Sequence, residues 1–107
     1  MPMVVKKDNR REPFDRTKIL SGLKKACEKR PVSISALGAS VDRIEKRIQD
    51  KGETEIPSRD VGEEVIRELR DLDPVAYVRF ASVYREFKDI DQFMDTIRVL
   101  AQEKQVS

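Results

Sequence analysis

The stretch VVKKDNRREPFDRTKI, residues 4–19, decides how the first part of this chain folds. Asp8 and Asn9 tolerate the positive φ angles of a tight turn, and the residues on either side can form two short strands. Asp15 follows the second strand and can cap a helix, with Phe14 before it as a hydrophobic staple. The stretch therefore predicts a β-hairpin that leads directly into a helix.

A two-residue loop at Asp8-Asn9 determines which side chains face each other in this hairpin. The predicted cross-strand pairs are Lys7 with Arg10, Lys6 with Arg11, and Val5 with Glu12. Like charges placed opposite each other destabilise a sheet by up to about 1 kcal/mol, and a bound anion would remove this penalty. Lys18 and the first amides of the following helix also favour negative charge. We predict a site for a triphosphate, with a solvated basic face as the alternative.

Apolar residues at helical spacing predict five helices in the remaining chain. Their stripes are Ile19, Leu20, Leu23, Ala26 and Cys27; Leu37, Val41, Ile44 and Ile48; Val61, Val65, Ile66, Leu69 and Leu72; Ala76, Phe80, Val83, Tyr84 and Phe87; and Phe93, Met94, Ile97, Leu100 and Ala101. Gly52 ends the second helix, Ser58 begins the third, Asp73 before Pro74 begins the fourth, and Asp91 begins the fifth.

One short extended segment, between Glu53 and Pro57, separates the second and third helices. The predicted fold class is therefore α+β, a mainly helical bundle on which a small sheet packs. This sheet comprises the N-terminal hairpin and the extended segment. A hairpin is not stable alone, so we expect the sheet to bury Met3, Val5 or Val4, and Ile56 against the helices.

Composition excludes several kinds of protein. The chain has 107 residues, 38% hydrophobic and 39% charged, which is enough for one core. It has no histidine and one cysteine, Cys27, so an internal disulfide, a histidine-dependent triad and a cysteine-histidine zinc site are excluded. We expect Cys27 to be a core residue with a raised pKa in a reducing, cytoplasmic setting. No apolar run is long enough to predict a membrane span.

Charge is distributed unevenly along the chain. The formal net charge is +2, but residues 1–30 carry a net +6 and residues 31–107 a net −4. We therefore expect an anionic partner to bind the N-terminal part. The chain has no glycine-rich phosphate loop of the Walker type, so we predict binding without hydrolysis, and no enzyme activity.

Residues 4–19 resemble the opening signature of the ATP-cone, the regulatory nucleotide-binding domain of many ribonucleotide reductases. Residues 73–87, with residues 27–32 and 55–58, resemble the NrdR family of bacterial repressors of ribonucleotide reductase genes. This resemblance covers about residues 2–100. We expect an ATP-cone domain over residues 1–100, followed by a frayed tail at 101–107.

The resemblance implies that ATP and dATP, with Mg²⁺ as an optional companion, bind under the hairpin and select different homo-oligomers. It places these residues in the nucleotide pocket: Val5, Lys6, Lys7, Arg11, Glu12 and Lys18, with Ile56 near the adenine. Tyr77 lies off the predicted apolar stripe of its helix and is the better candidate for a ligand or interface contact. Tyr84 fits the stripe and is expected in the core.

The chain departs from this family in two ways. The family's four-cysteine zinc ribbon, which contacts DNA, is absent, so we expect an isolated regulatory domain, with zinc and DNA bound only by the missing ribbon. Asn9 stands where the family commonly has glycine, and it permits the same turn. Two alternative functions are the regulatory domain of a ribonucleotide reductase large subunit and a basic module that binds nucleic acid directly.

Overall fold

The structure, a computed structural model, describes residues 1–84. Its elements are β1 (Met3–Val5), β2 (Arg11–Pro13), α1 (Arg16–Ala26), α2 (Ile34–Asp50), β3 (Glu55–Pro57), α3 (Ser58–Leu72) and α4 (Pro74–Tyr84). The α+β prediction is confirmed, as are four of the predicted helices and the short third strand. The helix predicted from Asp91, the side chains of Tyr84 and Phe87, and the predicted tail at 101–107 lie outside the described residues.

The helix ends form where the sequence predicts them. The Asp15 carboxylate accepts a hydrogen bond from the Thr17 amide at 2.9 Å, which caps α1. The Asp73 carboxylate accepts one from the Ala76 amide at 3.0 Å in the first turn of α4. Gly52 follows α2 with a φ of 66°, a left-handed conformation that glycine adopts without strain. Local side-chain chemistry therefore determines where these helices begin and end.

The three strands form a mixed sheet in the order β2-β1-β3. The central strand β1 is antiparallel to β2 and parallel to β3. Val4 lies beside Ile56 in this sheet, and both are buried against the helices, whereas Met3 is exposed. Of the residues that the sequence offered for burial, Val4 and Ile56 therefore form the inner face.

The predicted hairpin register is wrong by one residue. Val5 pairs with Arg11, and Val4 pairs with Glu12. The Asn9 amide donates to the Lys6 carbonyl at 2.9 Å. The loop therefore has three residues, 7–9.

Asn9 explains the longer loop. It adopts a φ of 68°, as the third residue of such a loop requires. The Asp8 carboxylate supports the turn by accepting from the backbone amide and the Nε of Arg10, at 3.1 and 2.7 Å. Only one like-charge rung remains, with Lys6 opposite Arg10. The shift also moves Glu12 to the inner face of the sheet and Arg11 to the outer face.

The buried face of α4 differs from the predicted stripe. Ala76, Tyr77 and Ala81 are buried and Phe80 is half-buried, whereas Val83 is 89% exposed. The expectation that Tyr77 lies off the buried stripe is therefore wrong, and so is the placement of Val83 in it. Small residues at 76 and 81 let α4 approach its neighbours closely, which favours this face over the bulkier one.

Charged residues join α4 to the end of α1. The Arg79 side chain donates to the Glu28 carbonyl at 2.6 Å, and Arg30 lies 3.0 Å from the Asp73 carboxylate. Cys27 lies in the core beside them. Its burial, with the charge of Asp73, raises the pKa of the thiol, which confirms the prediction of a core cysteine with a raised pKa.

A group of polar and charged side chains, of which Ser40 and Glu68 are buried, joins α2 to α3. We call it the α2–α3 ion network; its members are Ser40, Arg43, Arg47, Glu64 and Glu68. Arg43 Nε lies 3.0 Å from one carboxylate oxygen of Glu68, and Arg47 lies 2.9 Å from the other. Burial opposes ionisation of Glu68, but hydrogen bonds from Arg43, Arg47 and Ser40 hold its pKa below the ordinary value.

The described helices are too short or too polar to cross a bilayer.

Candidate functional site

A cavity of about 270 Å³ lies between the sheet and helices α1, α3 and α4. We call it the inner cavity. Its apolar lining includes Val4 from the sheet, Ile19 from α1, Val65 from α3 and Phe80 from α4. Its polar lining residues are Lys6, Glu12, Asp15, Lys18 and Ser58, all half-buried or exposed. The inner cavity therefore combines an apolar interior with a charged opening.

Glu12 connects the two lysines of this opening. Lys6 Nζ lies 3.2 Å and Lys18 Nζ 3.4 Å from the same oxygen, Glu12 Oε1. The hydrogen bond from Lys6, together with Lys18, outweighs the opposing effect of burial and holds the pKa of Glu12 below its ordinary value. Glu12 is therefore ionised at neutral pH, but one carboxylate cannot neutralise two ammonium groups. Asp15 supplies a second carboxylate at this opening, so the charges that line the inner cavity balance.

Two further concavities, of about 400 and 470 Å³, adjoin the inner cavity. We call them the outer concavities. Both are lined by Lys7 and Arg59, and one also by Arg10. Lys6 and Ser58 line the inner cavity and both outer concavities, so these three spaces meet at the two residues.

The beginning of α3 adds backbone donors to this region. Pro57 precedes the helix, and no side-chain hydrogen bond caps it. The first amides of a helix favour an anion because their N–H groups have no partner within the helix. Lys7 and Arg59 have no ion-pair partner among residues 1–84. The outer concavities therefore offer positive charge that the described part of the chain does not neutralise.

The predicted site residues fall into three places. Lys6, Glu12 and Lys18 lie together at the inner cavity, and Val5, Lys7 and Ile56 line one of the outer concavities. Arg11 instead lies on the outer face of the sheet, where its Nε is 2.6 Å from Glu55 Oε2. It lines none of these three spaces.

Tyr77 is the predicted residue that lies farthest from this arrangement. Its side chain is 7% exposed and packs in the core. It also lines a separate groove of about 340 Å³ with Arg67 and Arg70 of α3. The groove shares no lining residue with the inner cavity or the outer concavities.

Three residues at the outer concavities were missed by the reasoning from sequence: Arg10, Ser58 and Arg59. Arg10 was considered only as a partner of Lys7. The position of Ser58 after Pro57 was a usable signal, because a helix that begins after proline lacks a capping side chain there. No group of three or more histidine, cysteine, aspartate or glutamate side chains in residues 1–84 could hold a metal ion.

Comparison with known proteins identifies relatives over most of the chain. The ATP cone domain family matches residues 2–90. The transcriptional repressor NrdR of Pelobacter propionicus is 58% identical over 100 residues, covering 94% of this chain and 67% of the relative. NrdR of Myxococcus xanthus is 62% identical over 99 residues, covering 92% of this chain and 59% of the relative. The chain thus spans about two thirds or less of the length of these relatives, and the resemblance noted from its motifs is confirmed.

Proposed function

The chain belongs to the ATP cone domain family and is related throughout most of its length to the NrdR transcriptional repressors, and on that premise we propose that it senses adenine nucleotides for such a repressor. ATP and dATP are the proposed ligands, and ribonucleotide reductase genes the proposed targets. The relatives are named repressors, which confirms a regulatory rather than a catalytic protein and favours this function over the regulatory domain of a reductase.

The observation that carries the proposal is the position of Lys6 where the inner cavity meets the outer concavities. Pockets for whole small ligands usually enclose about 300 to 1,000 Å³. The inner cavity, at about 270 Å³, can take a base and part of a sugar. The phosphates then extend past Lys6 into the outer concavities, toward Lys7 and Arg59. In this arrangement the base contacts the apolar lining of the inner cavity, and the triphosphate contacts the basic lining of the outer concavities.

Glu12 is placed to contact the sugar. Both lysines contact its Oε1, so Oε2 has no described partner and can accept a hydrogen bond from a ribose hydroxyl. ATP and dATP differ by one such hydroxyl. A contact to it, or a change in how many nucleotides bind, would let the two ligands stabilise different assemblies. We propose that the homo-oligomer changes with the nucleotide and that DNA is contacted by the part of the repressor beyond the matched region.

Calorimetric titration of the 107-residue chain with ATP and dATP tests this function. We expect micromolar or tighter binding, near about −8 kcal/mol. Replacing a lysine that contacts phosphate should weaken binding by about 10-fold or more, because it removes a charge-assisted hydrogen bond. We expect this loss for Lys6→Ala, and a weaker affinity also for Lys18→Ala, which removes a positive charge from the opening of the inner cavity.

Lys24→Ala is the matched control, because it removes the same charge from an exposed position of α1 that lines none of the three spaces. It should bind nucleotide like the wild-type chain. Wild-type affinity in both Lys6→Ala and Lys18→Ala would contradict the site. Light scattering of the same samples reports the assembly, and a single mass without nucleotide, with ATP and with dATP would contradict nucleotide-dependent oligomerisation.

A further inference from the structure

Gly22 lies in the middle of α1 and lines the inner cavity opposite Phe80 of α4. A Cβ atom added at Gly22 would lie 4.0 Å from Phe80 Cε2, which is an ordinary van der Waals contact. Alanine would therefore fit at this position without displacing a neighbour.

Glycine lowers the stability of the folded chain at such a position. A glycine inside a helix destabilises it relative to alanine, because the unfolded chain gains backbone freedom. The backbone gives no compensating reason, since Gly22 does not adopt a positive φ. Packing gives none either, because the space for a methyl group is open. What the missing side chain does provide is volume and a smooth wall in the inner cavity.

We infer that Gly22 determines the size of the base pocket, keeping one wall of the inner cavity free for a purine ring. This inference rests on the proposed function and adds a residue to its site. A planar ring packs most closely against a surface from which no side chain projects. Gly22 supplies such a surface on α1, and the adjoining Phe80 supplies an aromatic edge on α4. A methyl group at position 22 would occupy space that the ring needs.

Gly38 provides a matched control for testing this role. It lies inside α2, a Cβ added there meets nothing within 4 Å, and it does not line the inner cavity. Gly22→Ala and Gly38→Ala should both raise the Tm by a few degrees, roughly 4 to 8 °C, since each removes a glycine from a helix. A reduced affinity in Gly22→Ala could then not be attributed to poor folding.

The binding measurements use ATP and inorganic tripolyphosphate. We expect Gly22→Ala to bind ATP about 10-fold more weakly than the wild-type chain, the effect of one extra methyl group in a filled pocket. Its affinity for tripolyphosphate, which has no base, should be unchanged. Gly38→Ala should bind both probes like the wild-type chain.

The other outcomes separate the inference from the proposed function. If the wild-type chain binds ATP and Gly22→Ala binds it equally well, the inference is overturned and the proposed function stands. If Gly22→Ala loses ATP and tripolyphosphate in the same proportion, its effect is not on the base, and the inference is again overturned. If the wild-type chain binds no ATP, the proposed function fails and the inference fails with it.

Discussion

The α2–α3 ion network and the opening of the inner cavity both contain a glutamate that contacts two basic side chains. The two glutamates differ in burial and in how their oxygens are paired. Glu68 is 5% exposed, and its two carboxylate oxygens are contacted by Arg43 and Arg47 separately. The side chain of Glu12 is 32% exposed, and both of its lysines share one oxygen. Because Glu68 is buried and both of its oxygens are ion-paired, the first cluster belongs to the scaffold. The second is partly exposed and lies at the opening of a cavity.

The two clusters also differ in whether the charges around them are balanced. Glu64 adds a second carboxylate to the ion network, so that its acids and arginines balance. Near Glu12, the neighbouring Lys7 and Arg59 have no ion-pair partner in the described residues. Clusters of similar composition can thus serve folding in one place and binding in another, depending on burial and on whether the charges neutralise one another.

Replacing each glutamate by glutamine gives the largest expected difference between the two regions. Glu68→Gln should lower the free energy of unfolding by about 2 kcal/mol, because it removes the buried carboxylate that accepts from Arg43, Arg47 and Ser40. Glu12→Gln should lower the unfolding midpoint much less, since water solvates Glu12 and the two lysines. Urea denaturation followed by circular dichroism measures both. Equal effects of the two substitutions would remove the distinction between scaffold and site.

Acidification should reduce the contribution of Glu68 to the free energy of unfolding, which gives a second test of its role in the scaffold. The pKa of Glu68 in the folded chain lies below its ordinary value of 4.5. Its stabilising contribution is therefore complete above about pH 4.5 and decreases as the pH falls through the folded-state pKa. The stability of the wild-type chain should fall toward that of Glu68→Gln on acidification.

Denaturation of both proteins between pH 7 and pH 3 measures this convergence. Glu12 and Asp73 also have lowered pKa values, but they titrate in both proteins, so the difference isolates Glu68. A gap that stays constant over the whole range would show that charge is not what Glu68 contributes.

The stability of the hairpin should depend on the left-handed backbone conformation of Asn9. Asn9 holds a left-handed conformation, which alanine adopts at a penalty of about 1 kcal/mol. Asn9→Ala should lower stability by that smaller amount, whereas Asn9→Gly, the matched control, should keep or slightly raise it. Thermal unfolding of the three chains measures the order. A destabilised glycine variant would indicate that the Asn9 side chain matters more than its φ.

The helix ends were predictable from the sequence, because they depend on residues that are adjacent along the chain. Asp15 and Asp73 cap their helices as expected, and Gly52 lies just past the end of α2. The hairpin register was not predictable, because Asp8-Asn9 suits a two-residue loop and also the end of a three-residue loop. In α4, the sequence suggested burial of Val83, but close packing selected the side of Ala76 and Ala81.

The candidate site likewise combines contacts between residues close in sequence, which were predictable, with contacts between distant residues, which were not. Lys6, Glu12 and Lys18 come together because the hairpin leads directly into α1. Arg59 reaches the outer concavities only through the pairing of β3 with β1, which connects residues about fifty positions apart. No local pattern reports such a contact. The nucleotide roles of all these residues, and of Arg11 and Tyr77, stay predictions.

The parallel pairing of β1 with β3 has a consequence for the order in which the molecule forms. The Met3 amide donates to the Thr54 carbonyl at 2.9 Å, so the first strand gains its second neighbour only after α1 and α2 have brought the chain back. Two-stranded hairpins are marginal by themselves, and loop closure over this length slows folding. We therefore expect the sheet that covers the inner cavity to complete after the helices have formed. A ligand that binds between the sheet and the helices would stabilise this last-formed contact by mass action.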